Sequence, residues 1–333
     1  MLSRVADACF WLSRYMERAE TNARLLDVNM QLLLDFEDEN GGDGEQHWIP
    51  ILASLEDQEL FRKLYPEGIS GDSVMSFVTF EKKNPNSILS TVTSARENAR
   101  TVREQISSEM WEQLNRLYLY MQSPAARSAF VDSPIEFYRS LVDSLHSFQG
   151  ITDATMTHGE GWQFLQAGKF LERADSTSRV LDVKYHILLP SGEQIGGTVD
   201  ITQWMAVLRS CSAMEAFLKI SRGRVTSWEV AEFLILHDSF PRSIRFCVDA
   251  LDSALHHISG CGRGHFSNEA ERLSGMLRSS LDYTTIESVF EKGLHQYLDE
   301  TQKRLTDVSN ALVRAYGRWL EDSVIGDDEQ SQA

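Results

Sequence analysis

The sequence predicts an all-α protein, a single large helical bundle built from two internal repeats of about 155 residues with pseudo-two-fold symmetry. Three observations predict it. Apolar residues recur three and four apart over long stretches, the period of a helix face. Only 7 Pro and 20 Gly occur in 333 residues, too few for a many-turned all-β chain. Finally, the second half of the chain resembles the first, and a repeat constrains architecture more firmly than local propensity. With 42% hydrophobic residues the chain can also fill a large core.

The first element covers residues 2–36, where Leu12, Tyr15, Ala19, Ala23, Leu26, Met30 and Leu33 form one stripe at helical spacing. The acidic, Gly-rich run Glu37 to Gln46 ends it, and Pro50 follows at a place suited to a helix first turn. Similar periodicity predicts helices over about 86–121, 135–157, 161–189, 200–221, 241–259, 267–281 and 286–321. Pro66, Pro85, Pro124, Pro134, Pro190 and Pro241 punctuate the intervals, because proline starts or ends helices more readily than it sits inside them. No comparable period-2 run bounded by turn residues appears.

The repeat is explicit. At an offset of 155, Tyr15 to Leu34 aligns with Phe170 to Leu189 with nine identities in twenty positions. Chance would give roughly one or two. At an offset of 156, Trp48 meets Trp204, Phe77 meets Phe233, Pro85 meets Pro241, Ser87-Ile88 meets Ser243-Ile244, and Arg116-Leu117 meets Arg272-Leu273. The predicted units are 1–157 and 158–321, followed by an acidic disordered tail over 322–333. The junction around 153–163 is short and unlike a flexible linker, which favours one shared bundle over two tethered domains.

Charge excludes some partners. With 49 acidic residues against 32 Lys plus Arg, the net charge is -17 and the pI about 5.0, so neither nucleic acid nor an anionic membrane is an expected partner. Nowhere do about 18 apolar residues run without charge, so no membrane span is expected. Cys9, Cys211, Cys247 and Cys261 form no CxxC pair, and the first residues do not read as a signal peptide, which together suggest a cytoplasmic protein.

The candidate site lies on the two Glu-Arg helices. Glu17, Arg18, Arg24 and Asp27 in the first copy reappear as Glu172, Arg173, Arg179 and Asp182 in the second. On a helical wheel Glu17 and Arg24 lie opposite the apolar stripe, with Arg18 at its flank. Diverging copies exchange exposed charges at little cost, so their retention points to a shared constraint. One explanation is structural: the helices pack antiparallel, Glu17 meeting Arg173 or Arg179, and Glu172 meeting Arg18 or Arg24. Another is a cleft lined by these groups that holds a polar, peptide-like ligand, since guanidinium binds carboxylate bidentately. A third is an ordinary exposed face. Arg242 and Arg245, just after Pro241, are secondary candidates: a helix first turn disfavours cations, so either they have an acidic or phosphorylated partner or packing of their stems holds them there.

Other chemistry is weakly represented. Asp143 with His146 is the closest approach to a di-iron pattern, and it has no second copy. The histidines do not supply three metal ligands at helical spacing, the run Gly260-Cys261-Gly262-Arg263-Gly264 follows no strand, and no nucleophile signature is visible. Neither a metal nor a cofactor is expected.

The stretches Met1-Leu2-Ser3-Arg4-Val5-Ala6 through Arg14-Tyr15-Met16-Glu17-Arg18-Ala19-Glu20, Gly168-Lys169-Phe170-Leu171-Glu172-Arg173-Ala174-Asp175, Asn84-Pro85-Asn86-Ser87-Ile88 and Phe240-Pro241-Arg242-Ser243-Ile244 resemble the bacterial alpha-E family, α-helical proteins named for a Glu-Arg motif. The resemblance implies company: circularly permuted ATP-grasp proteins and transglutaminase-like proteases. It therefore implies amide-bond formation on a peptide or amino acid, with the acyl phosphate made on another chain. The expected role is an accessory or substrate-binding subunit that is not catalytic alone. The alternatives are an enzyme component using paired Glu and Arg residues, and a pure scaffold.

Overall fold

The computed structural model describes residues 1, 3–40, 45–187, 197–221, 223 and 225–317, with the backbone alone for 34–40, 45–47 and 184–187. The tail over 322–333 lies outside the described residues. Every regular element among them is an α-helix. The first half runs α1 (Ser3–Asn40), α2 (Glu45–Ser54), α3 (Gln58–Leu64), α4 (Gly71–Phe80), α5 (Ile88–Thr101), α6 (Ser108–Gln122), α7 (Pro124–Asp132) and α8 (Pro134–Thr155). The second runs α9 (Glu160–Ile187), α10 (Thr198–Ser210), α11 (Met214–Ile220), α12 (Ser227–Leu236), α13 (Ile244–Ser259), α14 (Glu269–Asp282), α15 (Ile286–Lys292) and α16 (Leu294–Tyr316).

The long predicted helices are present, and three of them are broken. The segment 86–121 divides where Ser107 caps α6, its hydroxyl accepting from the Met110 N–H. The segment 200–221 divides at Ser212, which adopts a left-handed φ of 50°, and Glu56 with φ 56° plays the same part after α2. The segment 286–321 divides at Gly293, where φ is 94°. Pro124 and Pro134 open their helices, as their fixed φ suits the first turn. Pro50 lies further inside α2 than the expected first turn. Four helices of seven to ten residues, α3, α4, α7 and α12, lie outside the predicted spans and are too short for periodicity to reveal, while α11 and α15 are pieces of the predicted spans 200–221 and 286–321. Caps mark short helices instead: Ser70 and Thr285 form capping boxes, and Thr226 accepts from the Glu229 N–H.

At the centre α1 and α9 pack along their lengths, with α5 and α8 flanking α1, and α13 and α16 flanking α9. The expected antiparallel packing of α1 and α9 is not what occurs; they run parallel. A Cβ on Gly168 would sit 2.2 Å from the Phe10 carbonyl oxygen, Arg14 reaches Glu172, and Leu25 lines a cleft with Val180, so the two chains advance together. The reason lies in α8. It returns along α1, bringing Gln149 to Glu17 and His146 to Glu20, and the short loop that follows starts α9 beside the beginning of α1. Likewise α16 returns along α9, with Tyr316 against Phe164 and His295 on Asp182.

The apolar stripe of α1 is buried: Leu12, Ala19, Ala23 and Leu26 are fully enclosed, and Tyr15, Met30 and Leu33 pack against them. Its opposite face is buried too, with Glu17, Glu20 and Asn22 almost inaccessible. A helix at the centre of a bundle has no solvent side. One contiguous apolar cluster draws on both halves, from Val5 and Trp48 to Trp204 and Leu298.

Candidate functional site: the Glu-Arg seam

Along the parallel seam the carboxylates of each central helix are held by guanidiniums of the other. Arg18 clamps Glu172 from two sides, Nε donating to Oε1 at 2.6 Å and Nη2 to Oε2 at 3.1 Å. Arg14 adds a third bond, Nε to Oε2 at 2.7 Å. Reciprocally, Arg173 clamps Glu17, with Nε donating to Oε2 at 3.0 Å and Nη2 to Oε1 at 2.5 Å. Gln149 on α8 donates to the same Oε1 at 2.5 Å, and Arg242 stands 3.7 Å from Oε2. Arg14 and Arg18 are four apart, so one helix face delivers both to one carboxylate.

A second tier lies one turn along. Glu20 accepts from Arg24 of its own helix, at 2.8 Å from Nε, and from Arg242 Nη2 at 2.7 Å, with His146 3.3 Å away. Its counterpart Asp175 accepts from Arg179 Nε at 2.8 Å, and Arg179 also pairs with the exposed Glu56. Arg24 and Arg179 therefore do not cross the seam, contrary to one of the pairings considered from sequence. At i,i+4 spacing an acid of the same helix is nearer than the partner helix.

The remaining candidates separate. Asp182 binds His295 at 2.6 Å. Asp27 keeps Oδ1 buried with no hydrogen-bond partner. Arg242 precedes the cap Ser243 rather than entering the first turn, and its acidic partners are Glu20 and Glu17. Arg245 lies at the rim, 3.3 Å from Asp282. The sequence places Glu20 and Asp175 close by the candidate face without singling them out, and it does not mark Arg14, Gln149, His146 or Asn86 as site members. The spacing of Arg14 from Arg18 and of Glu20 from Arg24 was a usable signal, whereas nothing local marks Gln149.

Electrostatics follow from burial. Burial pushes the Glu172 carboxyl up, but Arg14 and Arg18 outweigh it and hold the group at about 2. Burial of Glu20 is outweighed in the same way by Arg242, His146 and Arg24, which keep it well below the ordinary carboxylate range. Asp175 goes the other way: its burial raises it, and Arg179 offsets only part of the effect. A carboxyl that takes a proton only near pH 2 is a poor general acid or base at neutral pH, so Glu172 is not suited to proton transfer. Among the described residues no three His, Cys, Asp or Glu side chains converge as metal ligands.

Two clefts open beside the lattice and share Arg18, Asp175 and Arg179 as a wall. One, of about 230 Å³, reaches Asn22, Ser54, Glu56 and Asn86. The other, of about 480 Å³, adds Trp11, Arg14, Ser309, Asn310 and Arg314. Arg18 Nη1 donates to Asn86 Oδ1 at 2.8 Å, and Arg14 Nη1 to Ser309 Oγ at 2.9 Å, which fixes both guanidiniums at the cleft walls.

Residues 1–316 match the Alpha-E family, described as a predicted alpha-helical domain with a conserved ER motif. The chain belongs to the Alpha-E family. The Glu-Arg steps Glu17-Arg18 and Glu172-Arg173 of this Alpha-E chain are the pairs that interlock across the seam. It is also similar to uncharacterized proteins of Mycobacterium bovis and Mycobacterium tuberculosis, at 24% identity over 331 residues. That match takes in 93% of this chain and 36% of each relative, so the chain spans about a third of the curated relatives it matches. No solved structure matches it significantly. Among the described residues no helix is long and apolar enough to cross a membrane.

Proposed function

We propose that this Alpha-E chain is a substrate-binding subunit, in which the interlocked Glu-Arg lattice is structural and the two clefts beside it hold an anionic, peptide-like ligand. One observation carries the reading: in a chain of net charge -17, the larger cleft is lined by Arg14, Arg18, Arg179 and Arg314, four cations set against the carboxylates of Glu172, Asp175 and Glu56 that pair with three of them. Such a local cationic concavity attracts carboxylates out of an otherwise repelling surface. Trp11 lies under Arg14, the guanidinium carbon 4.7 Å from the ring centroid, and gives the cleft an apolar side for a ligand's carbon skeleton.

The full pairing of Glu17 and Glu172 favours a structural role for the motif itself. Every oxygen of both carboxylates already accepts a hydrogen bond, and both groups are buried, which turns them toward the lattice rather than toward a ligand. The chain then acts with others. Following the family resemblance, an ATP-grasp protein would activate a carboxylate as an acyl phosphate while this chain presents the peptide or amino acid, with a transglutaminase-like protein as a further associate. Its cysteine usage fits a cytoplasmic setting.

The duplicated architecture belongs to the same proposal. Helices α3 and α11, α4 and α12, and α5 and α13 each begin 156 residues apart, as do the left-handed residues Glu56 and Ser212. Asn22 donates to the Asn86 carbonyl at 2.8 Å and Thr177 to the Arg242 carbonyl at 2.9 Å, at corresponding positions. These support two copies related by an axis running along α1 and α9 rather than across them.

Calorimetric titration with the dipeptide glutamyl-glutamate and with its fully amidated form tests the ligand reading. Saturable binding of the acid form alone, weakened about tenfold by Arg314→Glu, is the expected result. Equal behaviour of acid and amide refutes it. Co-purification of an ATP-grasp protein with the tagged chain tests the partnership separately.

A further inference from the structure

A cleft of about 860 Å³ lies far along the chain from the Glu-Arg motif, between α11, α12 and the α14–α15 turn. Its floor has an aromatic pair, Phe217 and Phe233, in an edge-on arrangement with ring centroids 5.7 Å apart. The first half contains the same pair 156 residues earlier: Phe61 and Phe77, edge-on at 5.2 Å. There the space beside the pair is filled. Tyr65 stacks on Phe61 at 5.1 Å with planes 4° apart and meets Phe77 edge-on at 5.9 Å. Its hydroxyl is hydrogen-bonded by Ser76 and Glu81.

The residue 156 positions after Tyr65 is Ser221. Both residues cap their helices in the same way, Tyr65 N–H donating to the Phe61 carbonyl and Ser221 N–H to the Phe217 carbonyl, each at 2.8 Å. Ser221 lines the cleft, and its Oγ is buried with no hydrogen-bond partner. The counterparts of Ser76 and Glu81 are Glu232 and His237, and both line the cleft as well. The second half thus retains the aromatic floor and polar groups in register with those that hold the phenol, while the ring itself is missing.

We propose that this cleft is a binding site for a phenolic ring, of the kind carried by tyrosine or tyramine, stacked on Phe217 against Phe233 with its hydroxyl at Glu232 and His237. A ring placed there regains the offset and edge-on contacts that Tyr65 makes within the chain, and its hydroxyl finds a carboxylate acceptor. The cleft is wider than a ring, so the rest of the ligand stays in water. The inference rests on the correspondence between the halves and not on the seam clefts, so its failure leaves those untouched.

The test is a ligand-observed NMR titration of the full chain with p-cresol, toluene, tyramine and N-acetyltyrosinamide. p-Cresol is expected to bind saturably and toluene about tenfold more weakly, the difference of one hydrogen bond to a charged acceptor. Tyramine binding with no N-acetyltyrosinamide binding identifies a free amine as the source, and the reverse identifies a peptide tyrosine. Ser221→Tyr fills the cleft as Tyr65 does, so this variant should fold, melt no lower than the parent and lose p-cresol binding. Glu232→Ala should weaken p-cresol and leave toluene unchanged. The proposal is overturned if p-cresol does not saturate, if folded Ser221→Tyr binds it as before, or if Ser221→Tyr fails to fold, because the space then does not accept the ring.

Discussion

Replacing Glu172 by Gln removes the one negative charge between Arg14 and Arg18 while keeping the side chain's shape. Glu172 is 3% exposed, so water does not replace the lost carboxylate, and two guanidiniums are left facing a neutral amide. Its carboxyl lies at about 2 against an ordinary 4.5. That difference corresponds to roughly 3 kcal/mol of folding stability at neutral pH. Loss of one partner from a buried pair gives a comparable figure, roughly 3 to 5 kcal/mol. Because the folded-state value is depressed, this stabilisation is complete above the unfolded value of 4.5 and disappears as pH falls toward 2. Urea denaturation followed by circular dichroism at pH 7, 5 and 3 measures it. The gap between parent and Glu172→Gln should be about 3 kcal/mol at pH 7 and should narrow clearly by pH 3. A gap below about 1 kcal/mol at pH 7, or one that does not change with pH, refutes the reasoning.

Two further perturbations probe the same architecture. Gly168→Ala places a methyl 2.2 Å from the Phe10 carbonyl oxygen, which forces α1 and α9 apart. It should destabilise the chain by at least about 2 kcal/mol, read as a lowered Tm, and an unchanged Tm would contradict the close parallel approach. Of the four cysteines, Cys9, Cys211 and Cys247 are buried, and burial pushes their thiols up to about 12, 11 and 12, whereas Cys261 is half-buried. Titration of the native chain with a chromogenic disulfide should therefore give one fast-reacting thiol, which Cys261→Ser removes. Two or more fast thiols would show that the core opens more readily than its packing implies.

The helical class and the long central helices were legible because an amphipathic stripe such as Leu12, Tyr15, Ala19 and Ala23 is a local signal. The short helices outside the predicted spans, α3, α4, α7 and α12, were not. Seven residues such as Gln58–Leu64 hold fewer than two turns of period, and tertiary contacts rather than pattern hold them in place. In the candidate site, recurrence of the motif narrowed the partner of Glu17 to Arg173 or Arg179 and that of Glu172 to Arg18 or Arg24, and the parallel packing selects Arg173 and Arg18. Gln149 was not legible, because it approaches Glu17 from a direction set by α8, whereas Arg14 lies one turn before Arg18 on the same helix face.

By itself the sequence determined that this chain is helical and that a Glu-Arg step occurs both at Glu17-Arg18 and at Glu172-Arg173, since composition, periodicity and motif are properties of the string. Tertiary structure alone decided that the two central helices run parallel, that both faces of α1 are buried, and that Arg24 and Arg179 do not reach Glu172 and Glu17 of the facing central helix. The physical reason is that a helical repeat specifies which side chains share a face but not which way the neighbouring helix runs. That direction depends on where α8 returns the chain before α9 begins.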